Sequence, residues 1–330
     1  YSGTAAIFLR IVNGRVFMKV ITIALGGNAL GNNPKEQQEN IDKAVPSLVD
    51  LITQGHKIIL THGNGPQVGM IYKAFDFASA HTDKICRFEL QECTAMSQGY
   101  IGYHLQKGIR NELQRLGMPW HVSTLVSQVE VYRHDPSFQN PDKPIGDFYR
   151  KEEAEAIMNA DPSQIFKEDA GRGWRRVVPS PKPVRIVEAE SILNLLDHKF
   201  IVITCGGGGV PVVKDEDGNY QGVSAVIDKD HSAALLADLV EAHYLIILTP
   251  VDRVALHYGT PQQRELTEIG SSEARRYIKE GHFAAGSMLP KIEAALRFVE
   301  GGRGRQAVIT SLEKAHLALS GKIGTRIYKS

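Results

Sequence analysis

The feature that most constrains the fold is a repeating unit: a short apolar run, then a glycine-rich or turn-forming loop, then a helical pattern. Four runs have the length of strands and contain apolar residues without alternation, at 20–25, 57–60, 200–204 and 244–248. Continuous apolar strands are typical of a parallel sheet that is buried on both faces. In 41–52, by contrast, apolar residues recur on one face of a helix. The sequence therefore predicts an α/β fold with right-handed crossovers.

Composition excludes several classes of protein. The 38 Lys and Arg balance 37 Asp and Glu, without the basic surplus that is typical of nucleic-acid binding. No stretch reaches the roughly 18 consecutive apolar residues of a membrane span. Cys86, Cys93 and Cys205 fit no disulfide framework or zinc motif, and so few cysteines indicate a reducing compartment. We therefore expect a cytoplasmic globular protein without a nucleic-acid or membrane partner.

Two segments do not follow the repeating unit. Residues 1–17 precede Met18 and match no targeting signal, so we interpret them as a non-native N-terminal extension, with an extra edge strand as the alternative. The rest of the chain, 18–330, is interpreted as one domain. Within it, 134–183 contains seven of the 15 prolines, a composition that is unsuited to a parallel sheet. We predict that 134–183 forms a small protruding lobe inserted in the domain, in preference to a long surface loop.

Glycine-rich turns follow three of the apolar runs, at Gly26-Gly27-Asn28, Gly63-Asn64-Gly65 and Gly206–Gly209. In an open α/β sheet, ligands bind at the carboxyl ends of the strands, where glycine lets backbone N–H groups approach an anion. None of these turns matches a Walker A loop or a dinucleotide fingerprint. One such turn would indicate only a tight connection, but three on one predicted edge indicate an anion-binding site.

Three lysines stand near these turns in the predicted fold. Lys229 lies between Asp228 and Asp230 before a helix, Lys291 stands at the start of another helix, and Lys143 belongs to the predicted lobe. A solvated surface charge is the alternative for each of them. However, a lysine at a helix N-terminus opposes the helix dipole unless an anion is present to pair with it. We therefore select Lys229 and Lys291 as the stronger candidates.

Longer motifs connect the chain to a family. It resembles the carbamate kinases of the amino-acid-kinase superfamily over essentially all of 18–330, through these segments in family order: IALGGNAL, HGNGPQVG, AMSQGYIGY, NPDKPIGDFY, EDAGRGWRRVVPSPKP, CGGGGVPVV, AVIDKD, LIILTPVDRV and GSMLPKIEAA. The resemblance implies a three-layer α/β sandwich around a mostly parallel sheet, with a small protruding subdomain over the active site. It also implies a homodimer.

The reaction implied by the resemblance is ATP + carbamate ⇌ ADP + carbamoyl phosphate, with Mg²⁺ held mainly by the nucleotide phosphates and not by protein side chains. The implied direction is ATP synthesis in fermentative catabolism, such as the breakdown of arginine or purine derivatives. Two alternatives stay open: another acid kinase of the superfamily, and a non-catalytic nucleotide sensor. A sensor would be expected to lack a catalytic lysine, whereas this chain retains all three.

The resemblance also implies roles for individual residues. Lys229 and Lys291 would be catalytic, Asp230 would orient both, and Lys143 would reach in from the lobe. The residues that hold the carbamate and the phosphoryl group would be Gly26, Gly27, Asn28, Gly63, Asn64, Gly65, Gly207 and Gly208. The nucleotide would contact Thr249, Val251 and Met288.

Four positions refine this comparison. Ala24 stands where many relatives of other specificity have a lysine, and Lys229 takes over that role, which favours carbamate kinase over acetylglutamate or aspartate kinase. Three residues depart from the common pattern of carbamate kinases. Ser224 stands where glutamate is common, His231 where an aromatic or apolar residue is common, and Asp147 where proline is common.

Overall fold

The computed structural model describes residues 11, 12, 15, 16, 18–26, 31, 33–169, 171–284 and 286–330. Its helices are α1 Pro34–Thr53, α2 Gly65–His81, α3 Leu90–Arg115, α4 Lys151–Ala160, α5 Ala189–Asp197, α6 Lys229–Leu239, α7 Ser271–Lys279 and α8 Met288–Glu300. Its strands are β1 Ile11–Val12, β2 Arg15–Val16, β3 Val20–Leu25, β4 Lys57–His62, β5 His121–Thr124, β6 Gln128–Val131, β7 Lys143–Tyr149, β8 Ile165–Glu168, β9 Trp174–Val178, β10 Pro183–Ile186, β11 Phe200–Ile203, β12 Val210–Lys214, β13 Tyr220–Gly222, β14 Tyr244–Thr249, β15 Ala255–Leu256, β16 Arg264–Glu265, β17 Glu268–Gly270, β18 Gln306–Ser311 and β19 Thr325–Tyr328. Short 3₁₀ helices cover Pro136–Phe138, Gly206–Gly208 and Ala315–Ser320.

A central sheet of eight strands has the order β17-β19-β18-β14-β3-β4-β11-β5. Its neighbouring strands are parallel except β18 and β19. After the first residue, every position of β3, β4 and β14 is buried, which explains why these strands are apolar without alternation. The mostly parallel sheet predicted from the sequence is confirmed.

Helices cover both faces of this sheet. On one face, α1 and α3 bury side chains such as Ile41, Leu48 and Leu105. On the other face, α6 and α8 contribute Leu236 and Phe298 to a second hydrophobic cluster. The three-layer α/β sandwich is therefore confirmed, with one cluster on each side of the sheet. Among the helices in the described ranges, none is long and apolar enough to cross a membrane.

Helix α1 follows directly from its sequence. Asn33 adopts an extended conformation before the helix, and its side chain accepts hydrogen bonds from the backbone N–H groups of Lys35 and Glu36 at 3.1 and 3.0 Å. Pro34 occupies the first helical position, where its missing N–H removes no helical hydrogen bond. The apolar face predicted in 41–52 lies against the sheet, since its apolar residues are buried.

The predicted lobe contains a small sheet of its own. Strands β7, β9 and β8 pair in that order, and α4 packs against β8 and β9. The end of 134–183 lies elsewhere, because β10 begins at Pro183 and pairs with β6 in a separate four-stranded sheet, β10-β6-β12-β13. The inserted lobe over 134–183 stays an interpretation of the domain organisation.

Two glycines define the contact between β7 and α2. A Cβ atom built on Gly69 of α2 would lie 2.3 Å from the Cα of Gly146 in β7. Gly146 also has a φ of +67°, a conformation that favours glycine. Arg175 of β9 donates a hydrogen bond to the Gly146 carbonyl at 2.9 Å. A side chain at Gly69 would therefore separate this small sheet from α2, whereas one at Gly146 would mainly strain the backbone.

Only part of the segment 1–17 lies within the described residues. Strands β1 and β2 pair with each other in antiparallel orientation. The interpretation of 1–17 as a non-native extension stays a prediction.

Candidate active site

Four adjacent strands of the central sheet, in the order β14-β3-β4-β11, end at the same edge, and the predicted turns follow them. Gly26 follows β3, Gly63 follows β4, and Gly206–Gly208 closely follows β11. The backbone N–H of Gly63 donates to the carbonyl of Leu25 at 2.9 Å, which joins the first two turns. Gly27 and Asn28 lie outside the described residues. The described parts of the three turns are therefore neighbours in space.

The turn after β4 leads directly into helix α2. Asn64 precedes the helix, Gly65 begins it, and the Asn64 side chain donates to the Ser97 hydroxyl at 2.9 Å. The first backbone N–H groups of a helix have no acceptor within the helix, and the helix dipole is positive there. Because this N-terminus lies at the edge formed by the strand ends, it supplies donors for an anion.

The turn after β11 requires glycine for steric reasons. Gly207 and Gly208 have φ values of +65° and +93°. A Cβ atom on Gly207 would lie 2.1 Å from the Asn64 side chain, and one on Gly208 would lie 2.4 Å from the Ile227 carbonyl oxygen. Ser232 of α6 donates to the Gly208 carbonyl at 2.7 Å. This turn thus fills the space between the start of α2 and the start of α6.

Asp230 connects the two lysines selected from the sequence. Lys229 is the first residue of α6 and its Nζ bonds to Oδ1 of Asp230, while Lys291 of α8 donates to Oδ2 at 3.1 Å. Only 3% of the Asp230 side chain is exposed. Both carboxylate oxygens are thus used to hold an ammonium group at the start of a helix.

Burial and charge act in opposite directions on this cluster. Burial opposes the ionisation of Asp230, but the charges of Lys229 and Lys291 outweigh it and hold the Asp230 pKa below its ordinary value. Burial lowers the pKa of Lys229 despite the attraction of Asp230. For Lys291, burial also opposes the charge, but the Asp230 carboxylate outweighs it and raises the pKa. Lys291 is therefore the more firmly protonated of the two lysines.

Lys143 at the start of β7 bonds to the carboxylate of Asp228. The other Asp228 oxygen accepts from the backbone N–H of Asp230 at 2.8 Å and so caps α6. Although burial opposes ionisation of Asp228, the charge and hydrogen bond of Lys143 hold its pKa well below the usual range. The cluster of Lys143, Lys229, Lys291, Asp228 and Asp230 has three positive and two negative groups, which leaves one positive charge for an anion.

The sequence analysis assigned no role to Asp228. The available signal was an aspartate immediately before a predicted helix, which is a common N-cap. Its ion pair with Lys143 joins positions 85 residues apart, and no local pattern indicates such a contact.

The predicted nucleotide contacts lie at the same edge of the sheet. Thr249 is the buried last residue of β14, and Val251 follows two positions later. Met288 begins α8, three residues before Lys291. Their contact with a nucleotide stays a prediction.

The three residues that depart from the common pattern have other partners. Ser224 donates to Glu89 at 3.2 Å, His231 Nε2 lies 3.8 Å from Glu293, and Lys73 donates to Asp147 at 3.1 Å. None of these three pairs includes a lysine of the cluster.

Comparison with known proteins gives a consistent result. The model of the amino acid kinase family matches residues 19–311. The carbamate kinase of Staphylococcus haemolyticus is 52% identical over 312 residues, which cover 94% of this chain and 100% of that protein. The structure of carbamate kinase from Giardia lamblia bound to citric acid has a TM-score of 0.88 and 42% identity, covering 95% of this chain and 99% of the other. The Giardia lamblia carbamate kinase bound to AMP-PNP has a TM-score of 0.85, with the same identity and coverage.

Proposed function

Because the chain belongs to the amino acid kinase family, and within it to the carbamate kinases, we propose that it transfers a phosphoryl group reversibly between ATP and carbamate. The chain is a phosphotransferase of the class that forms ADP and carbamoyl phosphate. The observation that carries the proposal is the pair of buried lysines bound to one carboxylate, Asp230, at the edge where the glycine turns meet.

The chemistry explains why this site needs lysines more than a general base. Carbamate is already an anion, so no proton has to be removed before it attacks. The difficulty is to bring it against a polyanionic phosphate in line with the bond that breaks. Positioning and charge neutralisation therefore provide most of the catalysis, as in phosphoryl transfer generally.

Lys229 and Lys291 provide that neutralisation in the proposal. Their ammonium groups stabilise negative charge on the transferring phosphoryl group, and Asp230 keeps both in place before substrate binds. The compact charge of lysine can follow a moving group, whereas the planar guanidinium of arginine favours one fixed bidentate geometry. Backbone N–H groups of Gly26, Gly27, Asn28, Gly63, Asn64, Gly65, Gly207 and Gly208 would hold the remaining oxygens.

Lys143 approaches from β7 and, in the proposal, adds a third positive charge when both substrates are bound. Its present partner is Asp228, which also caps α6. A phosphate oxygen near the start of α6 would compete with Asp228 for this ammonium group. The proposal therefore gives Lys143 two positions, one with and one without ligand.

The residues at the site fit a Mg²⁺ ion that is held by the nucleotide. Mg²⁺ is commonly bound by one or two carboxylates together with substrate phosphates. Asp228 and Asp230 are the carboxylates of the cluster, and lysines already neutralise both. When bound, the ion would neutralise phosphate charge, and we propose that phosphate oxygens are its main ligands.

We further propose that two copies of the chain associate at the open edge beside β5. A groove of about 500 Å³ lies there, and Tyr103 and Val126 in its lining are 58% and 53% exposed. A second copy would cover this apolar surface and protect the outer edge of β5, which has no strand partner among the described residues. Sedimentation should give a dimer for the parent protein and a monomer for Val126→Asp, and a monomeric parent would contradict the proposal.

The physiological direction is proposed to be ATP synthesis from carbamoyl phosphate in the cytoplasm, during fermentative breakdown of arginine or purine derivatives. A coupled assay for ATP formation from ADP and carbamoyl phosphate, with Mg²⁺ present, tests the activity directly. We expect turnover with carbamate as acceptor in the reverse direction and none with acetylglutamate or aspartate. Nucleotide binding without turnover would indicate a sensor, and transfer to another acid would indicate a different kinase.

A further inference from the structure

His62 is a buried, titratable residue beside the candidate site that the proposed mechanism does not use. It is the last residue of β4 and is 1% exposed. Successive strand residues point to opposite faces, so His62 shares its face with Ile58 and Leu60, which pack with α1 and α3. Helix α6, which begins at Lys229, covers the opposite face.

The hydrogen bond of His62 identifies its tautomer. Nδ1 lies 3.1 Å from the carbonyl oxygen of Gly63, and a carbonyl only accepts, so Nδ1 carries the proton. Burial lowers the His62 pKa to about 4, the bond to Gly63 opposes this, and the charge of Lys229 lowers it further. The imidazole is therefore neutral at pH 7, with its proton on Nδ1 and none on Nε2.

This hydrogen bond also sets the direction of the next backbone donor. In a planar trans peptide, the carbonyl of one residue and the N–H of the next point in opposite directions. The Gly63 carbonyl faces the His62 ring. The N–H of Asn64, in the same peptide plane, is therefore directed away from the ring.

The Nε2 and Cε1 atoms of the His62 ring set the distance between the turn after β4 and the turn after β11. A Cβ atom on Gly206 would lie 2.3 Å from Nε2 and 2.5 Å from Cε1 of His62. Gly206 does not have a left-handed φ, so neighbouring side chains, and not the backbone conformation, exclude a side chain there: chiefly the imidazole, and next Gln98, whose Cγ would lie 3.1 Å away. The ring is therefore a spacer between the turns that follow β4 and β11.

We propose that His62 is a positioning residue for phosphoryl transfer, which aims the Asn64 N–H at the transferring group and sets the spacing of the two glycine turns. This inference depends on the proposed function for its substrate. The role is indirect, because the ring acts through the Gly63–Asn64 peptide and through Gly206, without itself contacting the phosphate.

Two substitutions separate the hydrogen bond from the packing. His62→Leu removes the donor, and His62→Asn keeps an amide N–H near the position of Nδ1. We expect His62→Leu to lower kcat for ATP formation about 10-fold and to raise KM for carbamoyl phosphate. This loss is smaller than for complete removal of a donor, because the Asn64 N–H remains but is less precisely aimed. The Kd for ADP should change less than about twofold. General damage to the fold would weaken ADP binding as well, so this measurement separates a positioning role from misfolding. His62→Asn should recover most of the lost kcat.

A stability measurement tests the spacer independently of activity. Gly206→Ala should lower the melting temperature in the parent, and less so in the His62→Asn background, where the two imidazole atoms that would lie closest to the new Cβ are absent. Equal effects in both backgrounds would overturn the spacer role. Parental kcat and KM in His62→Leu, or equal losses in the Leu and Asn variants, would overturn the positioning role. An inactive parent protein would instead refute the proposed function, and the Gly206 comparison would still decide the spacer.

Discussion

The lysines of the candidate site come from two regions that are built differently. Lys229 and Lys291 lie in helices packed on the central sheet, and their side chains are 12% and 15% exposed. Lys143 lies in the small sheet of β7, β9 and β8, and its side chain is 29% exposed. The first pair shares one buried carboxylate, Asp230, whereas the third lysine bonds to a helix cap, Asp228.

The two regions also differ in how they are packed against the rest of the protein. Helices α6 and α8 belong to a continuous hydrophobic cluster, so their positions are fixed by close packing. The small sheet meets α2 through the Gly69–Gly146 contact and through an exposed ion pair, Lys73–Asp147. It also shares with α2 a hydrophobic cluster, smaller than the clusters on the central sheet, that contains Val68 and Ile145. We infer that the central sheet holds a fixed charge pattern, and that the lobe supplies a charge that can be repositioned.

The largest expected effect comes from removing the carboxylate at the centre of the fixed region. Asp230→Asn leaves two buried ammonium groups without their counter-charge, which should lower the free energy of unfolding by about 3–5 kcal/mol. Urea denaturation measures this loss, with Asp147→Asn in the lobe as control. Without Asp230, burial should lower the Lys229 pKa further. As the pH rises, residual activity should therefore decline at a lower pH than it does in the parent. A loss below about 1 kcal/mol would contradict a tightly fixed cluster.

Removing one lysine of the fixed pair should affect turnover more than nucleotide binding. Lys229→Ala or Lys291→Ala should lower kcat roughly 10²–10³-fold, about 3–4 kcal/mol, because each group stabilises charge that develops during transfer. The double variant should lose less than the sum, and Lys→Arg should recover little. Steady-state kinetics and calorimetric binding of ADP measure both quantities, with exposed Lys279→Ala as control. Near-parental turnover in a folded Lys291→Ala variant would contradict this mechanism.

Acid should destabilise the fixed region through His62. The unfolded chain binds a proton on this imidazole near pH 6.5, and the folded protein only near pH 4, so stability should fall as the pH drops between these values. The full difference corresponds to about 3 kcal/mol at most. Unfolding free energies over this pH range should show a smaller slope in His62→Asn. The matched control is exposed His134→Asn, at the start of the predicted lobe, which should retain the parental slope.

The lobe should contribute less than the fixed lysines. Lys143→Ala should lower kcat/KM for carbamoyl phosphate about 10- to 100-fold, the value of one charge-assisted hydrogen bond. Hydrogen exchange in 136–183 should slow when an ATP analogue and a carbamate mimic bind together. Lys151→Ala, on exposed α4 in the same region, is the control for both measurements. Identical exchange with and without ligands would show that the lobe is static.

The smallest effect is expected at the exposed contact between the lobe and α2. Lys73 and Asp147 are 60% and 67% exposed, and such pairs contribute about 1 kcal/mol or less. Asp147→Asn should therefore change kcat/KM less than about fivefold, and high salt should remove the difference. A much larger effect would show that the ion pair, and not the Gly69–Gly146 contact, positions the lobe.

Local patterns predicted much of the architecture and of the site. The continuous apolar runs indicated β3, β4, β11 and β14, because a strand buried on both faces has no place for polar residues. The turns at Gly26, Gly63 and Gly206–Gly209 were located because ligands of open α/β sheets bind after the strands. The longer family motifs assigned roles to Lys229, Lys291 and Asp230. They could do so because each of these residues lies within a contiguous segment that resembles the family, AVIDKD or GSMLPKIEAA.

Only the tertiary structure decided which of these pieces meet. The strand order β14-β3-β4-β11 places Thr249, Gly26 and Gly63 side by side, although more than 180 residues separate the first from the others. Other contacts also join segments that are distant in sequence. They are the bond between Lys143 and Asp228, the packing of His62 against Gly206, and the strand pairing of the four-stranded sheet. Local sequence determines which elements form, since propensity and burial pattern act over a few residues. The partners of those elements depend on the packing of the whole chain, because only there can buried charges and turns satisfy one another.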